Sequence, residues 1–236
     1  MWAYGITKDK IKTIIRIPVN KRIPSNGIEK LNVPIPKIDD LEVLIKIKSS
    51  SLNYNSLWSA MCYPMTPIQL ISSHKQRNPS YKGHLEDHFI FGSDASGVIK
   101  KIGKNVQGWS EGDEVIIHCN VVNEFDSNVQ NDGMLSESHS IWGYETNYGA
   151  FAEYTKVRAS QLIKKPKNIN WQVAASYNLC LSTAYRMLIS NNGARIRAGD
   201  TCFIWGASGG LGSFALQLAK LSGAKVIAVV SSEEKK

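Results

Sequence analysis

The run GASGGLG, from Gly206 to Gly212, has the composition of a loop that holds phosphate groups. Gly206 would permit a tight turn. Gly209 and Gly210 would let the backbone approach a pyrophosphate, and Gly212 would let the next helix pack closely on the strand. The run departs from a strict GxGxxG, because Ser208 stands where the second glycine would be. Its setting fits nonetheless: TCFIW reads as a strand before it and GLGSFALQLAKL as a helix after it. Phosphates would then lie at the positive end of that helix. The candidate cofactor residues here are Gly206, Ser208, Gly209, Gly210, Leu211 and Gly212. The alternative is a tight strand–helix turn with no ligand.

A second strand is expected from Lys225 to Val230, followed by SSEEKK. Sites for NAD usually place an acidic side chain near this strand end, on the ribose hydroxyls. Here Ser231 and Ser232 come first, with Lys235 and Lys236 close behind. Hydroxyl and ammonium groups suit a 2′-phosphate, so the expected cofactor is NADPH. Glu233 and Glu234 pull the other way, and a solvated charged tail is the alternative for the lysines.

These residues need a framework, and the sequence supplies two kinds of pattern. VLIKIKSSS from Val43, SGVIKKIG, DEVIIH and AFAEYTKV (150–157) alternate or read as short strands between Gly-rich turns. That suggests a β-rich part, a small, partly closed barrel. Residues 60–90 and 120–147 read as long polar loops. From Asn170 to Gly193 the periodicity is helical, with Asn170 as N-cap. One βαβ unit follows. The expected domains are 1–165 and 166–236, with the boundary near residue 165. The fold class is α/β with a β-rich part. Parallel strands need helices on both faces, and a two-stranded piece is marginal alone. The sequence is therefore expected to hold only the beginning of a nucleotide-binding domain; whether Lys236 is the natural end stays open.

The net charge is +8, but the lysines are dispersed and lack interleaved aromatics, which argues against nucleic-acid binding. Cys62, Cys119, Cys180 and Cys202 are scattered, so neither a disulfide framework nor a thiolate zinc site is expected. His84 and His88 are spaced by four but fall in a presumptive loop, GHLEDH, and read as surface residues. No metal is expected. No membrane span or secretory signal is legible, so a cytoplasmic protein is expected.

A β-rich domain followed by this unit resembles the medium-chain dehydrogenase/reductases. The segments SLNYNSLW, GSDASGVI, GDEVIIHC, IWGYETNYGAFAEY, STAYRML and IWGASGGLG resemble the crotonyl-CoA carboxylase/reductase family in order and spacing, from about residue 40 onward. The resemblance implies a GroES-like partial β-barrel followed by the start of a Rossmann domain. Zinc-dependent relatives carry a ligating His in GHE where this chain has Gly92-Ser93-Asp94.

The reaction the resemblance implies is NADPH-dependent reductive carboxylation of an enoyl-CoA, crotonyl-CoA to ethylmalonyl-CoA. Hydride reaches the β-carbon, and the resulting enolate attacks carbon dioxide at the α-carbon. A proton arriving first gives only a saturated acyl-CoA, so stray water must be excluded. By resemblance, Asn55 is the amide that orients carbon dioxide, Glu145 the carboxylate that positions a bridging water, and Tyr144 an aromatic wall. Thr183 resembles a residue near the nicotinamide; a helix residue bonded to its own turn is the alternative. Family resemblance also implies a homo-oligomer. Two other functions stay open. One is an enoyl-thioester or quinone reductase without carboxylation. The other is a non-catalytic remnant or half of a split protein that works with a complementary chain.

Overall fold

Alternation along the strand Glu42–Ser50 sets the local geometry: Val43 and Ile45 are buried while Lys46 and Lys48 face solvent. In the computed structural model, residues 1–78, 86–123, 125–130 and 132–235 are described. In chain order the elements are β1 (Trp2–Thr7), α1 (Lys8–Ile14), α2 (Pro24–Gly27), β2 (Glu29–Asn32), β3 (Glu42–Ser50), α3 (Tyr54–Met61) and α4 (Pro67–Arg77). Then come β4 (His88–Ile90), β5 (Ala95–Ile102), β6 (Glu114–Ile117), β7 (Asn120–Val121), β8 (Ser140–Ile141), β9 (Tyr154–Arg158) and β10 (Leu162–Lys164). The remainder are α5 (Trp171–Ala174), α6 (Asn178–Leu188), β11 (Thr201–Trp205), α7 (Gly210–Leu221) and β12 (Lys225–Val229).

The chain divides by contact into Met1–Ser176 and Tyr177–Lys236. In the first unit an antiparallel sheet runs β10-β6-β5-β3-β9, and a smaller one runs β2-β1-β4. The end strands β10 and β9 are not neighbours, so the barrel stays open. Register shifts at Leu44/Ile45 and Ile47/Ser49 bend β3, the central curve of that sheet. Val43, Ile45, Ile99, Val115, Ile117, Trp142 and Val157 fill its core. A second cluster, with Ile6, Ile14, Ala60, Ile71, Phe89 and Phe91, anchors α3 and α4.

Several sequence expectations change here. The loop expected over 60–90 contains α4. Its start is a capping box, Thr66 with Gln69, and Pro67 stands in the first turn. Strand β9 begins at Tyr154, not Ala150, because Phe151 spends its backbone groups on Tyr4 and Phe91. The single helix expected from Asn170 is two. Asn170 does cap α5, accepting from Val173 N at 2.8 Å, but Ser176 Oγ bonds Val173 O and the chain turns before α6. The contact boundary follows Ser176 rather than residue 165. Residues around α5 pack with the first unit through Ser96 Oγ to Trp171 O (2.7 Å) and Lys165 Nζ over the Trp171 ring. His88 is a half-buried residue of β4, not a loop residue; His84 and Lys236 lie outside the described residues.

In the second unit β11 and β12 pair in parallel, from Thr201↔Lys225 to Trp205↔Val229. Ile204, Ala207 and Ala219 form a small core beneath α7. Phe203, Trp205 and Ile227 stay 60%, 80% and 46% exposed. This sheet buries too little of its apolar surface to be self-sufficient.

Candidate active site

Asn55 lies in the first turn of α3, not in a turn that closes β3. Its Nδ2 donates to Ser93 Oγ at 2.8 Å, and its Oδ1 accepts from Ser56 N at 3.1 Å. Ser93 is fully buried. Two residues earlier, Asn53 Nδ2 donates to Asp94 Oδ2 at 3.1 Å, so the start of α3 is pinned twice to the segment after β4. An amide carries two N–H groups, and Ser93 takes one of Asn55's.

Glu145 sits in a tight turn after β8, held by the Trp142↔Thr146 bridge. Its Oε2 accepts from Ile141 N at 2.9 Å and its Oε1 from Arg77 Nη2 at 3.3 Å. Its side chain is 19% exposed, which removes it from the class of free surface carboxylates. Tyr144 is half-buried, and burial, with Glu145 adding, raises its phenol above the ordinary range.

Gly143 joins the two halves. A Cβ there would lie 1.9 Å from Gly92 O, and its φ is +70°. Only glycine lets these backbones abut in that conformation. The contact seats Tyr144 and Glu145 beside the Gly92-Ser93 segment that holds Asn55. Asn55 is thus tied to the Gly92-Ser93 segment by its side chain, and Tyr144 and Glu145 directly follow the glycine that abuts that segment.

His74 lies against Ser140, and His139 is close enough to Glu145, His74 and His118 to act on their charge. All three histidines are held below the ordinary imidazole range, chiefly by burial; Arg77 and His139 add for His74, and His139 for His118. For His139, Arg77 adds to the lowering, while Glu145 and Asp132 oppose it. His74 is fully buried and pushed down to about 4. The unfolded chain therefore binds a proton near pH 6.5 that the folded chain refuses until about pH 4. Stability should be full above pH 6.5 and fall as pH drops through that window, by up to about 3 kcal/mol from His74 alone. Thermal melts at pH 7.5 and 4.5 check this: the drop should be smaller in His74→Gln. An equal drop in both proteins would refute the assignment.

The glycine loop is described within its own unit. Gly206 has φ +71°, and Gly209 N donates back to Gly206 O at 3.0 Å. A Cβ on Gly212 would lie 2.2 Å from Gly206 O, so the helix approaches the strand as closely as backbone allows. Gly209, the N-cap of α7, offers no side-chain cap. The first N–H groups of the helix, from Gly210, Leu211 and Gly212, have no acceptor within it. Ser208 is exposed beside them. That donor set fits a pyrophosphate. Ala207 N donates to Val229 O at 3.0 Å, which ties the loop to the end of β12. Beyond that end, Lys235 Nζ donates to Ser231 Oγ at 2.9 Å, and Ser232 is exposed. Thr183 Oγ1 donates to Leu179 O at 2.7 Å: its hydroxyl hydrogen is used within α6.

Residues 39–167, more than half of the chain, match the family described as the alcohol dehydrogenase GroES-like domain. The chain belongs to this family. It is similar to crotonyl-CoA reductase of Streptomyces avermitilis, 40% identical over 99% of this chain and 52% of that protein. It is also similar to crotonyl-CoA carboxylase/reductase of Cereibacter sphaeroides, 41% identical over 90% of this chain and 47% of that protein. Among solved structures it resembles the 2-octenoyl-CoA carboxylase reductase CinF in complex with NADP and 2-octenoyl-CoA. There the TM-score is 0.92 at 39% identity, covering 99% of this chain and 52% of that one. The chain spans about half the length of the curated relatives it matches.

Within this GroES-like domain, sequence reasoning missed the residues that hold the site residues. Ser93 and Asp94 were seen only as the place of a lost zinc ligand, whereas they anchor Asn55 and Asn53. Arg77 was hidden in an expected loop. Gly143 in WGYE was the available signal, since a glycine between two aromatics marks a backbone constraint.

Proposed function

We propose that the protein carrying this chain catalyses NADPH-dependent reductive carboxylation of an enoyl-CoA, with crotonyl-CoA giving ethylmalonyl-CoA. The supporting observation is that Gly143 abuts Gly92, which seats the turn carrying Glu145 against the segment whose Ser93 holds Asn55. Asn55 uses its second N–H to orient one oxygen of carbon dioxide. Glu145, anchored at both oxygens, keeps lone pairs for a water on the other. Tyr144 walls the site against solvent, so that the enolate meets carbon dioxide before a proton.

Residues Gly206, Ser208, Gly209, Gly210, Leu211 and Gly212 would hold the pyrophosphate, and Ser231, Ser232 and Lys235 the 2′-phosphate. Thr183 takes a place near the nicotinamide, its hydroxyl oxygen still able to accept a bond. NADPH, when bound, supplies the hydride. The exposed side chains of Phe203 and Trp205 suit a sheet face that further helices cover, in a longer protein or a complementary chain. No helix among the described residues is long and apolar enough to cross a membrane. We place the protein in the cytoplasm, as a possible homo-oligomer.

A titration of the full-length protein should show tighter binding of NADPH than NADH. Oxidation of NADPH should depend on the enoyl-CoA. Tighter NADH binding would refute the cofactor reading. A reductase without carboxylation is the second reading, favoured by the similarity to a relative described as a crotonyl-CoA reductase.

A further inference from the structure

Helix α4 reaches the Glu145 turn at two points on one face. His74 Nε2 lies 3.5 Å from Ser140 Oγ, and Arg77, three residues on, places Nη2 3.3 Å from Glu145 Oε1. Residues three apart share a helix face. Leu70 and Ile71 bury the helix's other anchor points in the core, so the arm is fixed at its base. Ser140 and Ile141 form β8, and Ile141 N holds the second oxygen of Glu145 at 2.9 Å. The carboxylate is therefore oriented from two directions, by a backbone N–H and by a guanidinium. A single backbone bond leaves the side chain free to swing about it; the second contact removes that freedom.

From this geometry we infer that Arg77 is a positioning residue, which fixes the direction of the Glu145 carboxylate. It does not touch the reacting atoms in this account. The inference rests on the proposed function for its catalytic consequence, and on geometry alone for the placement. Other charged or titratable groups around the pair are His139, Tyr144, Asp132 and His74. Arg77 also borders a cavity of about 470 Å³ lined with Met134, Ser136, Glu137 and His139.

The test has two arms. Crystal structures of the full-length protein with Arg77→Met should show the Glu145 carboxylate rotated away from its original direction, and Arg77→Lys should restore it. In the full-length protein, Arg77→Met should lower the ratio of carboxylated to saturated product by about fivefold, the scale of one partly exposed ion pair. Arg77→Lys should recover much of the ratio, which a merely misfolded variant would not allow. A carboxylate that keeps its direction in Arg77→Met overturns the inference. So does a displaced carboxylate with an unchanged ratio, provided Glu145→Gln does lower the ratio. If Glu145→Gln leaves the ratio unchanged too, or the unaltered protein makes no carboxylated product, the proposed function fails instead. The placement of Arg77 is then decided by the crystal structures.

Discussion

Replacing Asn55 with leucine should lower the ratio of carboxylated to saturated acyl-CoA by roughly tenfold to a hundredfold in the full-length protein. The side chain keeps similar bulk but loses its donor, and one lost buried hydrogen bond costs about 1–3 kcal/mol. Saturated product should rise in place of the carboxylated one. Ser93→Ala is the control, because it breaks the same 2.8 Å bond while keeping the amide. A fall confined to Asn55→Leu assigns the effect to the amide itself. An equal fall in Ser93→Ala would mean that Asn55 acts only by holding α3 in place. Product masses after equal turnover give both ratios.

Gly143→Ala should destabilise the first unit by about 3 kcal/mol, or roughly 6–12 °C in Tm. The added Cβ would meet Gly92 O at 1.9 Å, and both partners are backbone, so neither yields cheaply. A left-handed φ adds about 1–2 kcal/mol for any residue with a Cβ. Relief requires the turn to lift away from Gly92, which carries Tyr144 and Glu145 with it. Thermal denaturation of the full-length protein measures the effect. A Tm within a degree or two of the original would show that the two backbones are not in contact.

How much of this was legible depended on which force wrote the pattern. Strands β3, β5, β6 and β11 and helix α7 were readable because each buries one periodic face, or one continuous run, in its own core. The glycine loop was readable because backbone approach leaves glycines behind. Helix α4 was not, since its proline and serines looked like loop punctuation; Pro67 instead opens the helix, and Thr66 caps it. The break between α5 and α6 was hidden too, because local bonds such as Ser176 Oγ to Val173 O leave no compositional trace. Asn55, Tyr144 and Glu145 entered through family resemblance, not pattern. Their partners Ser93 and Arg77 are set by contacts 38 and 68 residues away in sequence, a distance that no local period encodes.

The central claim is carbon–carbon bond formation with carbon dioxide, supported on Asn55 and Glu145. Its most direct test supplies the full-length protein with crotonyl-CoA, NADPH and ¹³C-labelled bicarbonate equilibrated with carbon dioxide, and reads the product by mass spectrometry. The account predicts ethylmalonyl-CoA carrying the labelled carbon in its new carboxylate. Butyryl-CoA alone, with no label in any product at saturating carbon dioxide, would contradict it.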